Sequence, residues 1–313
     1  MFSAVVFAYS EVGQRCLQVL LDHGVRVPLV FTHADQAGEQ RWFSSVAELA
    51  AARGVRVVMP VDPASPEWLA EIRRLAPDYI LAFYYRAMLP AQLLELARWG
   101  ALNLHGSLLP RYRGRAPVNW AIANGETHTG ATLHYMVARP DAGAIVAQET
   151  VPIGPNDHAL AVSMAVAAAA ARVLAAALPA MAAGPPPGRP MDLAAGSYFG
   201  GRRPEDGRID PHWPGLRVHA MIRAVAPPFP GAFVDVAGRR VVFAGSRLSA
   251  QRAAYPALAP CLYAMDGELF MDCQDGVRLH IRSVIIDGVA VDGRQFQERC
   301  GSEPWRFDFT ARD

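Results

Sequence analysis

A chain of 313 residues, 52% hydrophobic and 19% charged, is long enough for two packed domains and too apolar for extended disorder. Its formal net charge of +1 excludes bulk attraction to nucleic acid or to an anionic membrane, so any phosphate must be met by a local cluster. The four cysteines, Cys16, Cys261, Cys273 and Cys300, show no CxxC or Cys/His ligand spacing. That points to a reduced, cytoplasmic enzyme without a metal site.

The N-terminal run "AVVFAY" has no basic stretch before it and no small-residue cleavage site after it, and predicts a buried strand rather than a signal peptide. A helix is expected from Val12 to His23, stopped by Gly24. "RVPLVFTH" predicts a second strand, and Ser44 or Ser45 would cap a helix over "SVAELAAAR". "VRVVMP" predicts a third strand and "PEWLAEIRRLA" a helix with Pro near its start. "DYILAFYY", "PAQLLELARW" and "GALNLH" continue the alternation as strand, helix and strand. Such alternation implies an α/β fold, a mostly parallel sheet with helices on both faces. Ligands of such sheets bind beyond the carboxyl ends of the strands, where "YYRAML" and "NLHGSLLP" fall. Neither GxGxxG nor a P-loop follows the first strand, which leaves a dinucleotide site poorly supported.

The most apolar later stretch, from Ala159 to Gly184, is mainly alanine and is interrupted by Ser163 and Arg172. It reads as a helix packed on a domain, with no membrane insertion. "GPPPGRP" then predicts a stiff extended connector. Beyond it come a short helix, "GLRVHAMIRAV", and recurrent short strands parted by turns at Ala237-Gly238, Asp266-Gly267 and Asp275-Gly276. This second texture predicts a smaller β-rich, barrel-like domain. The expected boundaries are 1–183 for a catalytic domain, 184–203 for a linker, 204–303 for the barrel-like domain and 304–313 for a tail.

Asn103 and His105 stand at i and i+2 at a strand end, so both side chains project to one face and can reach one substrate atom. Carbonyl transfer needs an oxyanion donor and a base at such a place, and an Asn amide with an imidazole can supply them. A turn-capping Asn and a backbone-satisfied His are the plain alternative. Asp141, in "RPDAGAIV", is either a turn former or the orienter of His105. Arg111, Arg113 and Arg115 lie in a loop ending at Pro117 and suit a phosphate or carboxylate, unless they are simply solvated.

Together, "NLHGSLLPRYRGRAPVNW" and "DAGAIVAQ" resemble the formyltransferases that use N10-formyltetrahydrofolate. The resemblance implies a Rossmann-like first domain and a barrel-like (OB-like) second one. It also implies roles: His105 as base or proton shuttle, Asn103 at the formyl oxygen, Asp141 supporting His105. The folate, a formyl donor rather than a bound metal cofactor, would lie against Ala87, Met88 and Leu89. Arg115 and the stretch Val137, Ala138, Arg139, Pro140 and Asp141 would complete its site, with Pro140 removing one backbone N–H. "RAPVNWAIANGETHTGATLHYM" and "RAVAPPFPGAF" are most similar to the branch that formylates UDP-4-amino-4-deoxy-L-arabinose in lipid A modification and polymyxin resistance. The expected partner is then a UDP-linked amino sugar, its diphosphate met by Arg111 and Arg113, with the enzyme a monomer or a homodimer. The rival readings are methionyl-tRNA formylation, formylation of another nucleotide-linked amino sugar, hydrolysis of the donor, and a non-catalytic binding module.

Overall fold

The computed structural model describes residues 2–35, 41–236 and 238–307. The chain divides into two compact units: Met1–Pro117 with His128–Pro152 and Ser163–Gly200, and Val118–Thr127 with Ile153–Val162 and Gly201–Asp313.

The first unit is built on a seven-stranded sheet. Its strands β1 (Ser3–Ala8), β2 (Arg26–Phe31), β3 (Val57–Val58), β4 (Tyr79–Phe83) and β5 (Ala101–His105) are parallel and lie in the order β3-β2-β1-β4-β5. Between them run α1 (Ser10–Asp22), α2 (Val46–Ala52), α3 (Pro66–Leu75) and α4 (Ala91–Leu94). After the short β6 (Arg113–Gly114), and beyond α5 (Pro117–Ala123), whose residues from Val118 on belong to the second unit, β7 (His128–Tyr135) and β8 (Ile145–Pro152) extend the sheet antiparallel beyond β5. The long α6 (Ala159–Ala183) and the two-residue β9 (Tyr198–Phe199) follow.

Every residue of β1 and β4 is buried, which is why both read as continuous apolar runs. Alternation then sorts them. Val5, Phe7, Leu29, Phe31, Ile80 and Ala82 share one apolar cluster with Ile72 of α3 and Leu93 of α4. Within it the Phe7 and Phe31 rings stack with centroids 4.4 Å apart, and each buried ring contributes roughly 1.5–3 kcal/mol. Tyr79 alternates to the other face, where its hydroxyl donates to the Gly184 carbonyl (2.6 Å), just past α6. Helices therefore cover both faces. By length and composition α6 would suit a membrane span. Yet Val162, Val166, Ala169 and Val173 are buried at three- and four-residue spacing, and Arg172 pairs with Glu149 of β8 (3.0 Å).

Two expected elements are shorter than the sequence suggests. The "VRVVMP" strand pairs only at Val57 and Val58. The helix expected over 90–99 keeps a single turn: Leu96 N–H bonds back only three residues, and Arg98 and Trp99 give their N–H groups to Pro77 and Asp78. Residues 186–192 are extended, as the prolines require, a turn follows at 193–196, and the stretch 184–200 is bound along the first unit. Arg189 and Ile145 exchange both backbone hydrogen bonds (2.8 Å each), and β9 pairs with β6.

The second unit carries α7 (Gly215–Val225) and an antiparallel sheet. Its strands are β10 (Ala232–Val236), β11 (Arg239–Arg252), β12 (Cys261–Met265), β13 (Glu268–Asp272), β14 (Val277–Ile286) and β15 (Val289–Val291), then α8 (Gly293–Cys300) and β16 (Trp305–Arg306). They pair in the order β10-β11-β14-β13-β12-β16, with β15 on β14. Register shifts between Phe243 and Ser246 bend the 14-residue β11, as bulges do in sheets that curl toward a barrel. Asp266 and Gly267 both take positive φ (54° and 79°), the form that a two-residue hairpin turn demands. The turn expected at Ala237-Gly238 involves Ala237, which lies outside the described residues, as do 308–313 of the expected tail.

Candidate active site

The centre of the first unit's polar chemistry is the β5–β7 pair. In this antiparallel register Asn103 faces His134 and His105 faces Thr132. Period-two geometry therefore puts these four polar side chains on one face of the strand pair. All four are satisfied. Thr132 Oγ1 donates to the Ser107 carbonyl (2.6 Å) and accepts from Leu109 N–H (3.2 Å). Gln148 from β8 donates to Leu109 O (2.8 Å). These bonds hold the "SLLP" turn that leaves the sheet.

Three side chains converge above this turn. Asn103 Nδ2 lies 3.1 Å from His134 Nε2 and 3.3 Å from Asp141 Oδ1. His134 Nδ1–H donates to Tyr135 O (2.8 Å), which leaves its Nε2 as an acceptor. One Asn103 amide hydrogen thus faces His134 and the other faces Asp141; reversing the amide would set two oxygens against each other. Asp141, at a φ of 48°, also accepts from Gly114 N–H (2.9 Å).

His105 is 94% buried, with an exposure of 6%. Its Nε2 lies 2.7 Å from the Tyr112 carbonyl, and a carbonyl can only accept. The neutral ring is therefore protonated on Nε2, and its lone pair is on Nδ1. That atom lies 3.7 Å from Asp141 Oδ1, beyond hydrogen-bond distance. The group that sets the His105 tautomer is the Tyr112 backbone, and Asp141 acts on the ring through space. Burial holds His105 below the ordinary histidine value, against the opposing pull of Asp141 and the Tyr112 carbonyl. Burial alone would raise Asp141. The positive charge that His105 takes up on protonation, the protonated form of His134 and the Gly114 N–H overcome it, and Asp141 stays well below the usual carboxylate range. At neutral pH the centre is a neutral imidazole, an ionised carboxylate and an amide donor. Such a set can accept a proton from a nucleophile and stabilise the cation that results.

The stretches expected to meet a folate border this centre. Met88 and Val137 are 64% and 45% exposed, large apolar side chains open to solvent. Leu89 belongs to the β1–β4 cluster against which Met136 packs. Arg115 reaches back to the Arg86 carbonyl (3.4 Å), joining the segment after β4 to the segment before α5. Ala87 is half-buried, Ala138 and Arg139 are exposed, and Pro140 is half-buried. The two arginines expected at a diphosphate differ. Arg111 is exposed, with its guanidinium 5.7 Å from the Tyr112 ring. Arg113 is only 5% exposed, and its Nε has no hydrogen-bond partner among the described residues.

Sequence reasoning passed over His134, the Tyr112 carbonyl, the Gly114 N–H and Tyr84. A signal existed for His134. "TLH" in β7 repeats the polar-x-polar spacing of "NLH" in β5. Tyr84 carried none: its hydroxyl occupies the space a Cβ on Gly106 would need. Among the described residues no group of three or more His, Cys, Asp or Glu is placed to hold a metal ion.

Comparison with known proteins adds a family. The profile described as "Formyl transferase" matches residues 4–178, and "Formyl transferase, C-terminal domain" matches 202–300. Among solved structures, the chain is similar to an N-formyltransferase from Helicobacter canadensis in complex with folinic acid and dTDP-3-aminofucose. The TM-score is 0.70 at 17% identity, over 90% of this chain and 99% of that one. WlaRD, a sugar 3N-formyl transferase described with dTDP and 5-N-formyl-THF, gives 0.68 at 17% over 90% and 97%. Rv3404c from Mycobacterium tuberculosis, described as a likely sugar N-formyltransferase, gives 0.60 at 20% over 77% and 96%. At these identities the solved structures establish the shared fold.

Proposed function

Because this chain belongs to the formyl transferase family, we propose that it carries a formyl group from N10-formyltetrahydrofolate to the amine of a nucleotide-linked amino sugar. UDP-4-amino-4-deoxy-L-arabinose is the first acceptor to test, with lipid A modification as its use. The observation that carries the reading is the neutral His105 ring, its free Nδ1 set beside the ionised Asp141 and the Asn103 amide. The donor supplies an activated one-carbon acyl group. Exposed Met88 and Val137 suit the flat apolar body of a pterin, and Arg115 with the 137–141 segment suits its polar edge.

The acceptor amine attacks the formyl carbon. Asn103 turns an N–H from Asp141 to the oxygen that gains charge. His105 Nδ1 takes the proton that the amine sheds, and the resulting imidazolium lies between Asp141 and the Tyr112 carbonyl. His105 then returns that proton to the departing N10 nitrogen as its bond to the formyl carbon breaks. Much of the rate gain comes from holding both reactants in place.

Arg113 is the proposed diphosphate ligand, with Arg111 at the rim. A buried guanidinium whose Nε lacks a partner is costly unless an anion arrives. A second acceptor class has its own support: one structural relative is described with dTDP-3-aminofucose and another with dTDP, which favours testing a dTDP-3-amino sugar beside the UDP sugar.

The test is a formyl-transfer assay of four arms: UDP-4-amino-4-deoxy-L-arabinose, a dTDP-3-amino sugar, methionyl-tRNA, and no amine. Turnover is expected with a nucleotide sugar and not with tRNA. Formate release without amine, or turnover with tRNA alone, overturns the reading. In the productive arm Arg113→Ala should raise KM for the nucleotide sugar by roughly ten-fold or more, the scale of a charge-assisted hydrogen bond. An unchanged KM removes Arg113 from that role.

A further inference from the structure

The segment 112–114 has two hydrogen-bonding edges, and the catalytic side chains rest on only one of them. On that edge the Tyr112 carbonyl accepts from His105 Nε2–H (2.7 Å) and Gly114 N–H donates to Asp141 Oδ2 (2.9 Å). The opposite edge is occupied by residues 197–199. Arg113 N–H donates to Ser197 O and Arg115 N–H to Phe199 O, both at 3.0 Å. Ser197 Oγ accepts from Tyr112 N–H (2.8 Å), and the Phe199 ring stacks on Tyr112 at 5.2 Å and 12°. The fit leaves no slack. Gly114, at a φ of 96°, has the Phe199 carbonyl where a Cβ would stand, and Gly196 is pressed as closely against the Pro110 backbone.

These residues fall between the two family matches, which end at 178 and resume at 202. A linker would have no reason to carry a serine hydroxyl and an aromatic ring at the two points where the segment 112–115 needs holding. We propose that Ser197 and Phe199 are positioning residues for the transfer reaction. They lock the 112–114 backbone, and through it determine which nitrogen of His105 is free and where Asp141 stands. The proposal rests on the reading of His105 as the proton acceptor.

Ser197→Ala removes the acceptor for Tyr112 N–H while leaving the strand pairing. The expected result is a kcat lower by roughly ten- to hundred-fold, since small misplacements at a reacting centre cost that much, with KM for donor and acceptor unchanged. The Tyr112 carbonyl raises the His105 pKa. Loosening it should therefore move the acidic limb of the kcat profile to lower pH. Ser197→Thr should restore both, and Phe199→Leu should behave as Ser197→Ala does. Imidazole 15N NMR of the full chain supplies a readout independent of turnover. The wild-type protein should show His105 as a single Nε2–H tautomer, and Ser197→Ala a mixture of two. If the wild type transfers no formyl group to any acceptor, the tautomer comparison still stands or falls alone. A folded Ser197→Ala protein with the wild-type tautomer signal and pH limb overturns the proposal, as does a loss that Ser197→Thr fails to restore.

Discussion

His105 is held by contacts that push its proton affinity in opposite directions. Burial lowers it, while Asp141 and the Tyr112 carbonyl raise it, and burial is the larger effect. Catalysis through Nδ1 needs the neutral ring, so kcat should rise with pH through an apparent value below the ordinary histidine value of about 6.5 and then level off. His105→Ala should cost on the order of 10²–10⁴ in kcat, the usual worth of a general base, while donor binding survives. Asp141→Asn removes a charge that raises the His105 value. Its acidic limb should move to lower pH as kcat falls. A limb that stays in place in Asp141→Asn would show that the carboxylate does not act on the ring.

At the scale of elements, the site depends on how closely β4 and β5 can deliver their chain ends. Tyr84 follows β4 at a φ of 58°, and its hydroxyl fills the space beside Gly106, the residue that follows His105. Gly106 is required there for room, not for an unusual φ. Gly106→Ala forces the tyrosine ring or the strand end to move, and overpacking of this kind costs about 1–3 kcal/mol. Thermal melting should fall and kcat with it. Tyr84→Phe in the same chain removes the atom in the way and should recover part of the loss, a coupling expected of residues in contact. Purely additive effects of the two substitutions would rule out this packing account. The same scale explains α4. Its sequence has helical periodicity, but Arg98 and Trp99 find backbone partners in Pro77 and Asp78, and the helix stops after one turn.

At the scale of the whole molecule, each unit carries a buried histidine that acid must charge. In the second unit His219 donates through Nε2 to the Pro155 carbonyl and accepts through Nδ1 from Ser246, at 2.8 Å each. Burial first, and then the nearby Arg223 and His158, push it down to about 4. A folded-state value below the unfolded one means that the unfolded chain binds more protons. Stability is therefore full above about pH 6.5 and is lost as pH falls toward about 4, by roughly 3 kcal/mol for this group. His105 and His158 are lowered as well and act in the same direction. Urea midpoints at pH 7.5 and pH 4.5 should differ by less in His219→Gln than in the parent chain. Equal differences would show that His219 is not a source of the acid sensitivity.

Chain order and side-chain alternation sufficed for the parallel strands β1, β2, β4 and β5, for α2 and α3 with Ser or Pro at their starts, for the Asp266-Gly267 hairpin, and for the shared face of Asn103 and His105. Each depends on neighbours within a few residues, and periodicity records those. The length of α4, the burial of Arg113 and the role of residues 196–199 depend on partners tens of residues away. Proline-rich chain such as 186–190 predicts extension, which it has, but cannot say what an extended chain lies against. The choice of His105 tautomer was likewise beyond the sequence. Asp141 is the natural partner by residue type, yet the atom that takes the Nε2 proton is a backbone carbonyl, and every residue has one. Only the tertiary structure decides which carbonyl arrives, because a main-chain group carries no side-chain signature to read.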